Sequence, residues 1–248
     1  MNWQNKNFRE ISNSNKITLF FKDSRRMSEI PDNSVQLVVT SPPYPLVPTW
    51  NQSFSLMNIK IMEALASEKY DTTFQLMHEE LAKVWRECYR VLERDGFLAI
   101  NIGDVILNGK FYSNHTKVID HCEDIGFNLY KIIIGQKKYP EFILIFRKGK
   151  VDIDYRNYME VWKIKPDRNH YGRKVYAFPL EIPMKIIQQY SKPGDTVLDP
   201  FTGSATTAIA AAKLGRKFIG YEIDQSLLPV IVKKVLSYFE IGGGKNEF

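Results

Sequence analysis

A strand that ends in two successive prolines constrains the fold of this chain more than any other feature. The run Val35–Val39 is largely apolar, and Thr40–Tyr44, with the sequence Thr-Ser-Pro-Pro-Tyr, follows it directly. Because proline donates no hydrogen bond to a sheet and fixes its own φ angle, the strand must end there in a stiff segment. A rigid, acceptor-rich strand end beside an aromatic ring could hold a flat base that carries an amino group. By itself, however, the segment is more typical of a turn that merely ends a strand.

The composition is that of a globular protein with a substantial core. The chain has 248 residues, of which 44% are hydrophobic and 25% are charged, and this balance suits one large α/β domain. Its net charge of +6 is compatible with a polyanionic partner without establishing one. No apolar run reaches about 18 residues, and Met1–Lys16 is polar, so we expect neither a membrane span nor a signal peptide. Cys88 and Cys122 are far apart and no Cys/His cluster has zinc spacing, which predicts a cytoplasmic location and no metal site.

Residues 196–224 have the order of a nucleotide-binding module. They comprise a strand at Thr196–Asp199, a small-residue loop at Pro200–Thr207, a helix at Ala208–Leu214, a strand at Lys217–Tyr221, and then Glu222 and Asp224. This order is half of a Rossmann-like fold, in which small residues admit a ligand close to the backbone and helix-start amides favour anionic groups. An acidic residue after the second strand can accept hydrogen bonds from both hydroxyls of a ribose. Because the loop is not Gly-x-Gly-x-x-Gly, the module alone indicates no more than an adenosine-containing cofactor.

Hydrophobic periodicity predicts the remaining elements. Strands are expected at Lys16–Phe21 and Phe97–Ile102, a hairpin at Leu129–Ile134 and Phe142–Phe146, and helices at Phe74–Leu92, Asn114–Glu123, Pro183–Tyr190 and Leu227–Phe239. The strand near residue 19 is expected to be the first of the chain. Gly96 is expected to end the long helix in the left-handed conformation.

Three further segments have no regular pattern of their own. Residues 45–73 are predicted to be an insertion over the proline-rich strand end, with a short helix whose apolar face carries Ile59, Met62 and Leu65. Residues 241–248 are predicted to be a disordered tail. Residues 148–175 are predicted to be a short DNA-recognition segment, for the reasons that follow.

Two basic stretches are candidates for contact with nucleic acid. Arg25 and Arg26 follow the first predicted strand, and residues 148–175 mix basic with aromatic side chains. The side chains concerned are Arg156, Lys163, Lys165, Arg168, Arg173 and Lys174, interleaved with Tyr155, Tyr158, Trp162 and Tyr171. Such a mixture suits phosphate contact and stacking on bases, although its composition is equally compatible with a solvated loop. His115 and His121 are interpreted as ordinary surface or capping residues without acidic partners.

The two motifs together resemble those of the S-adenosylmethionine-dependent amino-methyltransferases of DNA, and their order is that of the β class. The motifs are Thr40–Tyr44 and Asp199–Ser204, and further matches occur at Arg94–Phe97, Ala177–Pro179 and Leu214–Glu222. The resemblance implies an α/β fold: a circularly permuted Rossmann-like methyltransferase, with a mixed, mostly parallel sheet, a C-terminal β-hairpin and helices on both faces. It implies a single catalytic domain over residues 1–248, S-adenosyl-L-methionine as cofactor and double-stranded DNA as partner. A cognate restriction endonuclease is a further candidate partner, and the expected state is a monomer or homodimer.

The resemblance also assigns roles to individual residues. The catalytic residues would be Ser41, Pro42, Pro43 and Tyr44. The residues expected to contact the cofactor are Asp23, Thr40, Phe178, Pro179, Asp199, Pro200, Phe201, Thr202, Gly203, Ser204, Thr206, Glu222 and Asp224. The residues expected to contact DNA are Arg25, Arg26, Lys137, Lys138, Lys163, Lys165, Arg168, Tyr171, Arg173 and Lys174. Asp23 would face the adenine amino group of the cofactor, although its position also suits a helix cap.

The implied reaction methylates an exocyclic amino group on a base that has been flipped out of the duplex. Ser41 Oγ and the Pro42 carbonyl would accept hydrogen bonds from that amino group, and Tyr44 would stack on the base. Serine at this position resembles the cytosine-N4 enzymes more than the adenine-N6 enzymes, so cytosine is the expected target and adenine the alternative. Ala205 stands where the family usually has a second glycine, and the recognition stretch is short. A non-catalytic cofactor- or DNA-binding subunit and an RNA or small-molecule methyltransferase therefore remain alternative interpretations.

Overall fold

The structure, a computed structural model, describes residues 8–12, 17–136, 140–152, 156–165 and 178–242. Its chain divides into two compact units, each assembled from stretches that are separated in the sequence. The first unit comprises Met1–Ser24, Val35–Thr40 and Ile164–Phe248, and the second comprises Arg25–Ser34 and Ser41–Lys163. The predictions of DNA contact at Lys137, Lys138, Arg168, Tyr171, Arg173 and Lys174 lie outside the described residues.

The first unit is built around a mostly parallel sheet. Its strands, numbered along the chain, are β1 (Phe8–Ser12), β2 (Ile17–Phe20), β3 (Val35–Thr40), β10 (Thr196–Asp199) and β11 (Lys217–Tyr221). Its helices are α5 (Glu181–Tyr190), α6 (Thr206–Lys213) and α7 (Leu228–Gly242). The strand order is β1-β2-β11-β10-β3, in which β1 alone is antiparallel to its neighbour. Strands from the start of the chain thus flank strands from its end, which confirms the permuted Rossmann-like arrangement.

The second unit combines an antiparallel hairpin with helices. Its strands are β4 (Leu92–Gly103), β5 (Val105–Leu107), β6 (Lys110–Tyr112), β7 (Asn128–Gln136), β8 (Glu141–Arg147) and β9 (Met159–Lys163). Its helices are α1 (Asn51–Met57), α2 (Ile59–Ala66), α3 (Tyr70–Val91) and α4 (Asn114–Ile125). Four strands have the order β4-β8-β7-β9, and β5 pairs with β6 separately. The predicted hairpin is confirmed, because β7 and β8 are antiparallel neighbours.

The long predicted helix is confirmed as α3, but its end differs from the prediction. Its apolar stripe is buried at Met77, Leu81 and Trp85, as expected for an amphipathic helix. The helix ends at Val91 and β4 begins immediately at Leu92, because Leu92 already has an extended backbone (φ −63°, ψ 136°). The prediction that Gly96 ends the helix in the left-handed conformation is therefore wrong. The residue with positive φ is Asp95, at 68°, and it lies within the strand.

The short helix predicted within residues 45–73 exists as α2, but its buried face differs from the prediction. The side chains that α2 buries are Ile61 and Ala64. Ile59 and Met62 are 58% and 49% exposed. The same residues fit a helical stripe in two registers, and only tertiary packing decides which register faces the core.

Four other features differ from expectation. Strand β1 precedes the strand that was predicted to be first, and it pairs with β2 in an antiparallel register. Strand β9 occupies part of the segment predicted for DNA recognition. The small hairpin β5–β6 was not predicted, although its Asn108-Gly109 turn, with φ of 50° and 74°, is a strong hairpin signal. Helix α7 extends through Gly242, so the predicted tail starts no earlier than residue 243.

Within the described residues, no helix is long and apolar enough to span a bilayer.

Candidate functional site

The carboxylate of Asp199 organises the loop that leaves β10. The residue is 1% exposed. Its Oδ1 accepts hydrogen bonds from Thr40 Oγ1 at 2.7 Å and from the Phe201 backbone N–H at 3.0 Å, and its Oδ2 accepts one from Thr207 Oγ1 at 2.6 Å. Burial raises the pKa of Asp199 to about 6, and these three bonds oppose the increase. Asp199 therefore fixes the end of β3 and both ends of the loop relative to each other.

The same loop contains two residues with left-handed backbone. Gly203 has φ 53°, and Ala205, which caps the start of α6, has φ 63° and ψ 32°. An alanine in this conformation costs roughly 1 kcal/mol relative to glycine. Ala205 is fully buried, and burial of its methyl group stabilises by roughly 0.8 kcal/mol. The two contributions nearly cancel, so alanine is tolerated where the related motif usually has glycine.

Glu222 joins this loop to the end of β11. Its Oε2 accepts a hydrogen bond from the Gly203 N–H at 2.9 Å, and its Oε1 accepts one from the Asp224 N–H at 2.8 Å. Burial raises the pKa of Glu222 to about 7, and the two backbone donors oppose the increase. A half-buried carboxylate thus stands at the carboxyl end of a parallel strand, where open α/β sheets bind ligands.

A buried lysine that was not predicted supports the loop from α7. Lys234 is 8% exposed, and its Nζ donates to Ser204 Oγ at 3.0 Å and to Thr206 Oγ1 at 2.8 Å. Those two hydroxyls are buried with it, so they serve the loop's internal structure. The sequence signal for a buried lysine is its position beside Ile231 and Val235, which α7 buries.

In the second unit, the hydroxyl groups of Ser41 and Tyr44 belong to one hydrogen-bond network. Ser41 Oγ donates to Tyr44 Oη at 3.3 Å. Asn101 Nδ2 donates to Tyr44 Oη at 2.9 Å and to Glu141 Oε2 at 3.1 Å. Burial, with the nearby charge of Glu141, raises the pKa of the Tyr44 hydroxyl well above its usual value. The phenol is therefore protonated throughout the physiological range.

The path of the chain after Tyr44 is fixed by a buried amide. Asn114 is fully buried, and its Nδ2 donates to the Gly103 carbonyl at 2.9 Å and to the Pro45 carbonyl at 3.4 Å. Its Oδ1 lies 2.9 Å from His78 Nε2, and burial lowers the pKa of His78 to about 3, so this histidine is neutral and donates through Nε2. Gly103 also lies close to the Tyr44 ring. A Cβ atom added at Gly103 would be only 3.1 Å from Tyr44 Cε2. Tyr44 is thus held at both its ring and its hydroxyl.

Among the described residues, no group of three or more His, Cys, Asp or Glu side chains could hold a metal ion. The polar groups described above are instead carboxylates, hydroxyls and amides that form hydrogen bonds within each unit.

Comparison with known proteins decides the family. A family model described as DNA methylase, covering N6 and N4 enzymes, matches residues 35–155 and 146–233. The type II methyltransferase M.MjaI of Methanocaldococcus jannaschii is 38% identical over 91% of this chain and 92% of its own length. The chain belongs to the N6/N4 family of DNA methyltransferases. A second type II methyltransferase, M.MthZI of Methanothermobacter thermautotrophicus, is 36% identical to it over 88% of this chain and 76% of that protein.

Solved structures agree with the fold of this N6/N4 methyltransferase. A Thermus thermophilus protein, described as a candidate DNA modification methylase and complexed with S-adenosyl-L-methionine, matches with a TM-score of 0.66 at 26% identity, covering 92% of this chain and 95% of that one. The PvuII cytosine-N4-specific DNA methyltransferase shares the fold, with a TM-score of 0.66 at 20% identity over 94% and 95% of the chains. Together with the family model and the type II relatives, these structures support a methyltransferase of the restriction–modification type that uses S-adenosylmethionine.

The structure separates the residues predicted to contact DNA into two groups. Arg26, Lys163 and Lys165 are exposed, as contact with phosphate requires. Arg25 instead donates to Glu80 Oε2 at 2.7 Å and to the Met57 carbonyl at 3.1 Å. Because Glu80 is 2% exposed, Arg25 neutralises a buried carboxylate within the methyltransferase, and its contact with DNA stays a prediction.

Two other expectations about this family member change. Trp162 was expected to help stack on bases, but it is 9% exposed and its Nε1 donates to Glu160 Oε2 at 2.9 Å. His115 was expected to have no acidic partner, but its Nδ1 lies 2.7 Å from Asp104 Oδ2 and its ring stacks on Phe142. No helix begins in residues 21–34, so the interpretation of Asp23 as a helix cap is wrong.

Gly220→Ala should destabilise the methyltransferase by about 2 kcal/mol, because the new methyl group overpacks a closed site. A Cβ at Gly220 would lie 2.3 Å from Thr202 Oγ1 and 2.8 Å from Leu19 Cδ2. Urea unfolding measures the effect. Gly109→Ala is the control, because that turn has φ of 74° but open space within 4 Å, and it should cost only about 1 kcal/mol. Equal losses for the two variants would show that the close approach of the loop is not what requires Gly220.

Proposed function

We propose that this chain transfers a methyl group from S-adenosyl-L-methionine to the exocyclic N4 amino group of a cytosine in double-stranded DNA. The observation that carries the proposal is the hydrogen bond from Ser41 Oγ to Tyr44 Oη at 3.3 Å. Because the serine proton is used in that bond, the lone pairs of Ser41 Oγ stay available to accept an N–H of the target. A neutral acceptor at this position is the feature that favours cytosine over adenine.

The target nitrogen needs such acceptors because its lone pair is delocalised into the ring. Hydrogen bonds from its N–H groups to fixed oxygens favour a tetrahedral nitrogen, whose lone pair can attack a methyl group. We assign the two acceptors to Ser41 Oγ and the Pro42 carbonyl, and the support for the base to Tyr44. The proline pair is buried, so these acceptors need little reorganisation during reaction. The base must leave the duplex to reach them, so base flipping is part of the proposal.

The residues of the first unit suit the cofactor. S-adenosylmethionine supplies a methyl group bonded to a positively charged sulfur, which makes that group transferable to nitrogen. We assign the ribose hydroxyls to Glu222, whose half-buried carboxylate stands at the end of β11. Asp23 is assigned to the adenine amino group. The rest of the cofactor is assigned to the loop at residues 200–203, together with Phe178, Pro179 and Asp224. Thr40, Asp199, Ser204 and Thr206 act on the cofactor only through the loop they hold in place.

Binding of the DNA backbone is assigned to the exposed basic residues Arg26, Lys163 and Lys165. The restriction–modification type of the family extends the proposal to protection of DNA against a cognate restriction endonuclease.

Sequencing of modified bases tests the proposal in cells. DNA from a methylation-free host that expresses the chain should carry N4-methylcytosine within one short recognition sequence. The same host expressing Ser41→Ala should carry little or none. Modification at adenine would contradict the choice of base, and unmodified DNA despite soluble wild-type protein would favour a non-catalytic subunit. Modification of RNA in place of DNA would contradict the substrate.

A further inference from the structure

The amide of Asn101 has an unusual arrangement of partners for a buried side chain. Asn101 is 2% exposed, and its Nδ2 donates to both Tyr44 Oη and Glu141 Oε2. Its Oδ1, although buried, has no hydrogen-bond partner among the residues that the structure describes. A buried acceptor without a partner destabilises the folded state. Reversing the amide would move the oxygen toward the two groups that now accept its hydrogens, so something must hold the amide in this orientation.

Glu141 supplies that constraint. An ionised carboxylate only accepts hydrogen bonds, so the end of the amide that faces Glu141 must be the NH₂ group. Register in the sheet brings the residues together, because Gly103 of β4 pairs with Glu141 at the start of β8, two positions along from Asn101. With Glu141 taking one amide hydrogen, the second is directed at Tyr44 Oη at 2.9 Å. The orientation of Asn101, and with it the position of the tyrosine hydroxyl, follows from the charge on Glu141.

We propose that Glu141 is a positioning residue for methyl transfer, acting through Asn101 on the hydroxyl of Tyr44 and thereby on Ser41. The inference rests on the proposed function, since it takes Ser41 Oγ as an acceptor for the target amine. Glu141 touches neither substrate nor cofactor in this role. Tyr44 Oη is the only described group through which the amide of Asn101 reaches Ser41 Oγ, because Tyr44 Oη accepts from both.

A double-mutant cycle between Glu141 and Tyr44 tests this role. Glu141→Gln keeps the size of the side chain, but its amide offers a donor to the unpartnered Asn101 Oδ1 and removes the constraint. We expect it to lower the single-turnover rate of methyl transfer about tenfold in the wild-type background. In the Tyr44→Phe background, where the hydroxyl that Asn101 holds is gone, it should change the rate less than about twofold. Glu141→Ala, which removes the acceptor without adding a donor, should repeat the pattern.

The cycle separates positioning from a merely structural role. A structural role for Glu141 would lower the rate by the same factor in both backgrounds, and that result would overturn the inference. An unchanged rate for Glu141→Gln in the wild-type background would overturn it too. Cofactor affinity, measured by calorimetry in the same preparations, should be unchanged. If the wild-type chain itself forms no N4-methylcytosine, the proposed function fails, an outcome that is distinguishable from failure of the cycle in an active enzyme.

Discussion

Ser41→Ala is expected to lower the single-turnover rate of methyl transfer about a hundredfold, the order of loss seen when one preorganised group is removed from an active site. The variant removes one of two acceptors assigned to the target amine, so the nitrogen keeps more of its planar, delocalised character. The rest of the network is unaffected, because Asn101 still donates to Tyr44 Oη. Rapid-quench transfer of a labelled methyl group to DNA measures the rate.

The affinity of Ser41→Ala for S-adenosylmethionine should stay within about twofold of wild type, because the cofactor contacts are assigned to other residues. Ser55→Ala is a matched control, since its hydroxyl only donates to the Asn51 carbonyl within α1, and it should keep the wild-type rate. A Ser41→Ala enzyme that transfers methyl groups at full rate would remove Ser41 from the reaction. Loss of cofactor binding with loss of rate would assign Ser41 a structural role.

Glu222→Ala is expected to weaken S-adenosylmethionine binding about a hundredfold, because two hydrogen bonds between a charged acceptor and ribose hydroxyls are lost, each contributing roughly 1.5 kcal/mol or more. The loop also loses support, since the Gly203 and Asp224 backbone N–H groups both donate to this carboxylate. Titration calorimetry of wild type and variant measures the change. An unchanged affinity would refute the assignment of the ribose to Glu222.

The same assignment predicts a pH dependence. The folded-state pKa of Glu222 is about 7, raised from 4.5 mainly by burial, and the ionised form is the better acceptor. Cofactor affinity should therefore rise between pH 6 and pH 8 by up to about tenfold. Stability should change in the opposite direction, because the folded state binds the proton more tightly, so this group's contribution declines as pH rises from about 4.5 to about 7. Glu222→Gln should flatten both profiles, and a pH-dependent affinity that persists in Glu222→Gln would have another origin.

Much of the fold follows from local patterns in this sequence. Strands β10 and β11 and helix α6 lie close to the predicted bounds because an apolar run, a small-residue loop and an Ala-rich helix leave few alternatives. The end of α3 and the buried face of α2 were mispredicted because both depend on tertiary packing. Asp95 has a positive φ of 68°. Glycine adopts this conformation most readily, so the sequence favoured the neighbouring Gly96 instead. The β5–β6 hairpin, although unpredicted, has its sequence signal in Asn108-Gly109, whose positive φ angles suit a two-residue hairpin turn.

In the candidate site, too, some residues could be predicted from the sequence and others could not. Ser41, Tyr44 and Glu222 are marked by motifs, because their chemistry requires fixed neighbours in the chain. No motif marks Asn101, Glu141 or Lys234, because sheet register and helix packing bring these residues to their partners. Tyr44 and Asn101 are 57 positions apart in the chain, and Lys234 and Ser204 are 30 apart. Contacts of this kind depend on register, which one sequence does not specify at single-residue precision.

The most direct measurement is the chemical identity of the methylated nucleoside. Purified chain, duplex DNA and S-adenosylmethionine carrying a deuterated methyl group are incubated, and the DNA is digested to nucleosides for mass spectrometry. We expect the label to appear in N4-methylcytosine in the wild-type reaction and nearly to disappear with Ser41→Ala. Label in N6-methyladenine, or no label in DNA from well-folded wild-type protein, would contradict it.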